Sequence, residues 1–292
     1  MTSARQARDD TDAEQTDPSQ RVVVVAGGGG GVVAYVKEVV AFRDLLYFLV
    51  RRDIRVRYAQ TVLGFGWAVL QPLTQTVVFS IFFGGLAGIS SAGVPYPVFS
   101  IAAVVPWTYF SNAVSAASTS LMGSSGIVSK VYFPRLLMPF SPIGAGLVDF
   151  AVGVALLVGI MGAYGRVPPA TAWLYFPILV GAAVLASLAF STWLSVLGVQ
   201  YRDVRYITPF FLQILLFVTP VIYVTAKVPA SVRHFYSLNP MVGVVSGFRA
   251  AFLGVGDMPW RSLGLSVCVS SVLLVTGIAY FRRVERVFAD IA

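Results

Sequence analysis

Residues 58–129 read YAQTVLGFGWAVLQPLTQTVVFSIFFGGLAGISSAGVPYPVFSIAAVVPWTYFSNAVSAASTSLMGSSGIVS, without one Asp, Glu, Lys or Arg. Lys130 ends the run. No soluble fold leaves 72 consecutive residues uncharged. A bilayer core about 30 Å thick takes roughly 20 apolar helical residues per crossing. The stretch therefore predicts two crossings, about 64–87 and 98–121, joined by the Gly-, Ser- and Pro-rich turn 88–97.

Working outward, the same logic covers most of the chain. It is 57% hydrophobic and 12% charged, where globular proteins sit near 25% charged. Further spans are expected at about 137–164, 172–198, 207–225 and 261–281. Between the last two, Asn239 is a good N-cap and Pro240 suits the first helical position. The helix they start should end near Gly254, too short to cross. It reads as a re-entrant or interfacial helix buried against protein. Upstream, residues 38–60 predict an amphipathic helix, with Phe42, Leu45, Leu46 and Leu49 on one face and Arg43, Asp44, Arg51 and Arg52 elsewhere. It is too charged to span and is expected along the cytoplasmic surface. Residues 1–37 form a flexible extension: the first 20 are polar and acidic, with no apolar core of a secretory signal. Gly27–Gly31 is a linker, since Val32 and Val33 stand where a phosphate loop needs Lys-Ser/Thr. The division is thus 1–37 extension, 38–60 interface helix, 61–285 six-helix membrane domain and 286–292 cytoplasmic tail. The fold class is all-α integral membrane.

Charge sets the orientation. With the N-terminus inside, sixteen Lys and Arg fall on the inner side and five on the outer (Arg166, Lys227, Arg233, Arg249, Arg261). The positive-inside rule then puts both termini in the cytoplasm, with Trp67 at the inner interface and Trp173 and Trp260 at the outer. The net charge of +8 sits at the ends of apolar segments, which suits anionic lipid rather than nucleic acid. Cys268 and His234 are the only residues of their kinds. A disulfide framework and a Cys-based metal site are excluded, a single His argues against a His-based metal or triad site, and no metal or catalytic cluster is expected.

Several residues stand out chemically. Asp149 is a lone carboxylate deep in a span, either functional or simply paired with a tyrosine, backbone or water. The loop 123–135 ends Lys130-Val131-Tyr132-Phe133-Pro134-Arg135, either an aromatic knob for a soluble partner or an interfacial anchor. Tyr201-Arg202-Asp203-Val204-Arg205 is a dense cytoplasmic loop in which Asp203 can pair with a neighbouring Arg. Trp107, Tyr109, Phe110 and Trp193 either pack in spans or line a sugar pathway, since Trp and Tyr need partners for their polar atoms at depth.

Four ordered stretches carry a family resemblance. They are Arg57-Tyr58, Leu63-Gly64, Trp67 and Gln71-Pro72; Asn112 and Lys130–Arg135; Tyr201–Ile207 with Pro209-Phe210, Gln213 and Thr219-Pro220-Val221-Ile222-Tyr223; and Leu238–Met241 with Gly243, Phe248-Arg249 and Leu253-Gly254. Over about residues 40–285 the chain resembles the permease subunit of type-2 ABC exporters of polysaccharide, the O-antigen and teichoic-acid export family. One departure is Val224, where that family often has Pro. The resemblance implies a plasma (inner) membrane homodimer with two separate ATP-binding cassette ATPases, which carry ATP and Mg, and a lipid-linked polysaccharide as substrate. It implies that 130–135 contacts the ATPase, that 201–205 is a cytoplasmic gate loop, and that Asn239, Pro240 and Arg249 belong to the periplasmic re-entrant helix. Arg51, Arg52 and Arg55 then either attract a lipid pyrophosphate or serve as positive-inside anchors. Two alternatives stay open: an exporter of drugs or lipids with the same fold, and a membrane-embedded transferase using Asp149.

Overall fold

The computed structural model describes residues 32–59, 66–123, 133–225 and 236–289. Among them every regular element is helical. α1 (Val32–Ala41) and α2 (Arg43–Tyr58) come first. The amphipathic segment thus begins before residue 38 and is interrupted at Phe42, although the Phe42 N–H still donates to the Glu38 carbonyl. α3 (Gly66–Phe79) runs on into a π-helical segment, Ser80–Leu86. There Gly84 admits the Tyr96 ring, whose Cγ lies 2.7 Å from where a Cβ would stand. Next come α4 (Tyr96–Gly123), α5 (Leu137–Ala163) and α6 (Ala170–Gln200). α7 (Val204–Val218), α8 (Pro240–Leu253) and α9 (Trp260–Ala289) complete the chain. α9 continues past 285, into the residues expected as a tail.

Among the described residues, five helices are long and apolar enough to cross a membrane: α3 with its π segment, α4, α5, α6 and α9. In the expected fifth span, 207–225, the α-helix begins at Val204 and stops at Val218, well before residue 225. α7 has 15 residues, about 22 Å at 1.5 Å per residue, short of a 30 Å core. Pro220 ends it. Proline has no N–H to donate and disfavours α geometry in the residue before it, and Thr219 accordingly adopts ψ 144°.

α4 is the central helix: 78% of its membrane window is buried, against 17% for α3. It packs on α3, α5, α6, α7 and α8. Small residues allow these approaches, as membrane helices require without a hydrophobic drive between them. A Cβ on Gly153 would stand 3.1 Å from Val105, and one on Gly243 would stand 2.4 Å from Ser266 Oγ of α9. A second apolar cluster closes the end that the charge pattern places inside. It gathers Tyr35, Leu49, Phe133, Leu136, Leu137, Val196, Ile278 and Phe281. Phe42, Leu45 and Leu46 pack against it, so the apolar face of α2 is covered by the bundle.

α2 also leans on α5 rather than lying free along a surface. Val50 meets Gly144, the Ser141 hydroxyl donates to Asp53, and Arg57 and Tyr58 both reach Asp149. Trp67, Trp173 and Trp260 remain about half exposed near the helix ends.

Candidate functional site

The last turn of α2, the start of α3 and the middles of α4 and α5 enclose a cleft of about 510 Å³. Helical spacing builds it. Trp67 and Gln71 come from α3; Val105, Thr108, Tyr109, Asn112, Ser115 and Thr119 from one face of α4; Gly146, Asp149 and Gly153 from one face of α5. Thr119 to Val105 spans on the order of 20 Å of α4, from near its C-terminal end to mid-helix. Its polar lining is mainly neutral. The Asn112 side-chain amide donates to Gln71 Oε1 at 3.0 Å, and Thr108 lies 3.4 Å from Gln75 Oε1. Trp67 is 54% exposed at its edge.

The one deep carboxylate is at the wall of this cleft. Arg57 Nη1 donates to one oxygen of Asp149 and the Tyr58 hydroxyl to the other. Burial, then the Asp149 carboxylate, raises the Tyr58 pKa and keeps the phenol a donor. The pair is charge-neutral and each carboxylate oxygen accepts a hydrogen bond, which offsets part of the cost of a carboxylate at that depth. It also leaves Asp149 poorly placed as a catalytic base.

Of the other pathway candidates, Tyr109 lines the cleft, with its hydroxyl 3.3 Å from the Ile143 carbonyl. Trp107 and Phe110 do not line it. They are buried against one another with centroids 5.6 Å apart, and Phe110 meets Phe190 edge-on. Trp193 is elsewhere as well: its Nε1 donates to the Leu273 carbonyl at 2.9 Å and its ring stacks on Tyr280. Gln71, Thr108, Asn112, Ser115 and Thr119 were not singled out as pathway residues. Their signal is a polar stripe at helical spacing inside an uncharged run.

Arg51 and Arg55 are exposed on α2, whereas Arg52 is held at 2.9 Å by Asp53. Tyr201, Arg202 and Asp203 are exposed between α6 and α7, and Arg205 is exposed in the first turn of α7. Arg205 donates to the Tyr206 hydroxyl at 2.7 Å and covers its ring; among the described residues no ion pair involves Asp203. Lys130, Val131 and Tyr132 lie outside the described residues. Phe133 is no projecting knob, since its ring is buried in the second apolar cluster with Pro134 beside it. Arg135 is half-buried and its backbone N–H lies 3.2 Å from Glu285.

Asn239 caps α8 through Oδ1, which accepts from the Met241 N–H at 3.0 Å, and its amide donates to Thr219 Oγ1 at 2.9 Å. Pro240 is the first helical residue and Gly254, at φ +64°, the last turn's left-handed cap. Arg249 is buried and faces the unwound backbone after α7. It donates to the carbonyls of Pro220, Val221 and Tyr223 and, more weakly, of Phe99, whose ring lies 3.5 Å from the guanidinium carbon. The Tyr96 hydroxyl donates to the Ile222 carbonyl at 2.8 Å. Non-helical backbone at membrane depth survives only when its polar groups are met this way.

The comparisons agree with this architecture. Residues 44–253 match the ABC-2 type transporter family. An O-antigen export system permease protein, RfbA of Myxococcus xanthus, is 28% identical over 264 residues, covering 89% of this chain and 99% of the relative. The polysialic acid transport protein KpsM of Escherichia coli is 24% identical over 80% of this chain and 91% of its own. The inner membrane transport permease YadH of Escherichia coli K12 is 28% identical over 73% and 84%. A helical membrane bundle, a polar intramembrane cleft and a family match over most of its length together place this chain in the ABC-2 type transporter family.

Proposed function

We propose that this chain is the membrane permease of an ATP-driven exporter of a lipid-linked polysaccharide. Two copies work with two separate ATP-binding cassette subunits, which bind ATP and Mg and supply the work. The assembly sits in the plasma (inner) membrane with both termini of this chain in the cytoplasm. Relatives named for O-antigen export and polysialic acid transport, matching 80–89% of the chain, support the substrate class. The observation that carries the reading is the cleft itself: amides, hydroxyls and aromatic faces inside the membrane, with an Arg57–Asp149 ion pair that is internally balanced. Sugars present hydroxyls to amides and C–H faces to rings, and need no net charge opposite them. The exposed Arg51 and Arg55 suit the lipid pyrophosphate that would arrive with them.

Transport needs no covalent step here. The ATPases act on the 123–135 loop and on α2, and the cleft wall that α2 forms through Arg57 and Tyr58 moves with it. Deletion of the gene tests the reading: a surface polymer should disappear while its lipid-linked precursor accumulates inside. An unchanged envelope, or a permease that never co-purifies with an ATP hydrolase, rejects it.

A further inference from the structure

Glu285 takes no part in the cleft, yet it joins three parts of the chain that are far apart in sequence. Its Oε2 accepts from the Tyr35 hydroxyl of α1 at 2.7 Å, and its Oε1 accepts from the backbone N–H of Arg135 at 3.2 Å. Arg135 closes the 123–135 stretch, directly before α5. α5, which follows, begins at Leu137 with Leu136 as its N-cap and no side-chain capping bond. Helix starts leave N–H groups unpaired and favour negative charge. Glu285 supplies that carboxylate from the far end of the chain. Arg282, one turn earlier on α9, lies 5.6 Å from the Tyr35 ring. Tyr35, Phe133, Leu136 and Phe281 bury the arrangement, and hydrogen bonds shielded from water bind more strongly. Burial, then the Glu285 charge, holds the Tyr35 phenol protonated and thus a donor.

We infer that Glu285 is a positioning residue that ties the exit of the 123–135 loop to α1 and α9, so that displacement of the loop moves both together. This rests on the reading above, in which an ATPase acts at that loop. α1 is contiguous with α2, whose end forms the cleft wall. The tie therefore connects the loop to the substrate side through α1 as well as through α5.

The test uses the full chain co-expressed with its ATPase, comparing wild type, Glu285→Ala, Glu285→Gln and Tyr35→Phe. The readout is surface polymer delivered per ATP hydrolysed, taking the polymer lost on gene deletion as the probe. Glu285→Ala should assemble and hydrolyse ATP yet lower that ratio about tenfold, the scale of a lost charge-assisted hydrogen bond. Glu285→Gln, which keeps an acceptor oxygen, should recover much of it, and Tyr35→Phe should show an intermediate loss without depending on Glu285→Ala folding. An unchanged ratio in both Glu285→Ala and Tyr35→Phe overturns the inference while leaving the proposed function intact. So does a parallel fall in yield, hydrolysis and export that Gln does not rescue. A wild-type chain with no ATPase partner instead removes the reading, and the inference with it.

Discussion

Arg249 shows how one side chain can hold an irregular stretch of backbone inside a membrane. Its planar fork reaches three carbonyls of the unwound stretch after α7 and one of α4. Lys offers a single point of charge and cannot copy that geometry. Arg249→Lys should cost on the order of 3 kcal/mol, because carbonyls left unpaired each carry a desolvation penalty. The check is thermal unfolding of the purified variant in detergent, where a wild-type-like midpoint would refute the cage. Asp149 is a second case. Removing one partner of a part-buried ion pair leaves the other uncompensated, worth roughly 3 kcal/mol. Asp149→Asn and Arg57→Gln should each destabilise the chain, and the double variant should lose less than their sum. Additive losses in that double-mutant cycle would show that the two groups do not interact. The sequence marked Asp149 as exceptional and allowed a tyrosine partner. It could not name Arg57, 92 residues away, because nothing local sets that pairing.

At the scale of elements, α8 was legible almost to its ends. Asn239, Pro240 and Gly254 are local signals whose chemistry is complete within a turn. The end of α7 had an equally local signal in Pro220, outweighed by the apolar residues that continue beyond it. Hydrophobicity reports burial in lipid or protein but not whether the backbone stays helical. The packing of α8 on α9 depends on Gly243, whose N–H is bonded to Ser266 Oγ at 3.1 Å. Gly243→Val would drive a side chain into the Ser262 carbonyl and Ser266. Overpacking of this kind costs about 3 kcal/mol, and the variant should accumulate poorly in membranes, as a quantitative immunoblot would reveal. Ser266→Ala in the same background should recover part of the loss, since it removes the nearest clashing atom.

For the whole molecule, the order of the helices makes orientation testable. The aromatic contacts agree on which ends lie together: Trp173 with Phe252 and Tyr175 with Trp260 at one end, Trp193 with Tyr280 toward the other. In a Cys268→Ser background, Tyr164→Cys should react with a membrane-impermeant thiol reagent in intact spheroplasts. Tyr201→Cys should react only after permeabilisation. Both wild-type side chains are exposed in the structure, so the opposite pattern would invert the proposed topology rather than report burial.

By itself, the sequence determined that the chain lives in a membrane, where its long helices run, which side its cations favour and where α8 is capped. These follow from hydropathy, charge and caps, all properties of neighbouring residues. Only the tertiary structure decided that α2 is clamped to α5, that the cleft draws on four helices, and that Arg249 and Glu285 serve backbone from distant parts of the chain. A charged group in a low-dielectric interior must find partners wherever the fold brings them. That choice depends on packing across the bundle, to which sequence spacing is blind.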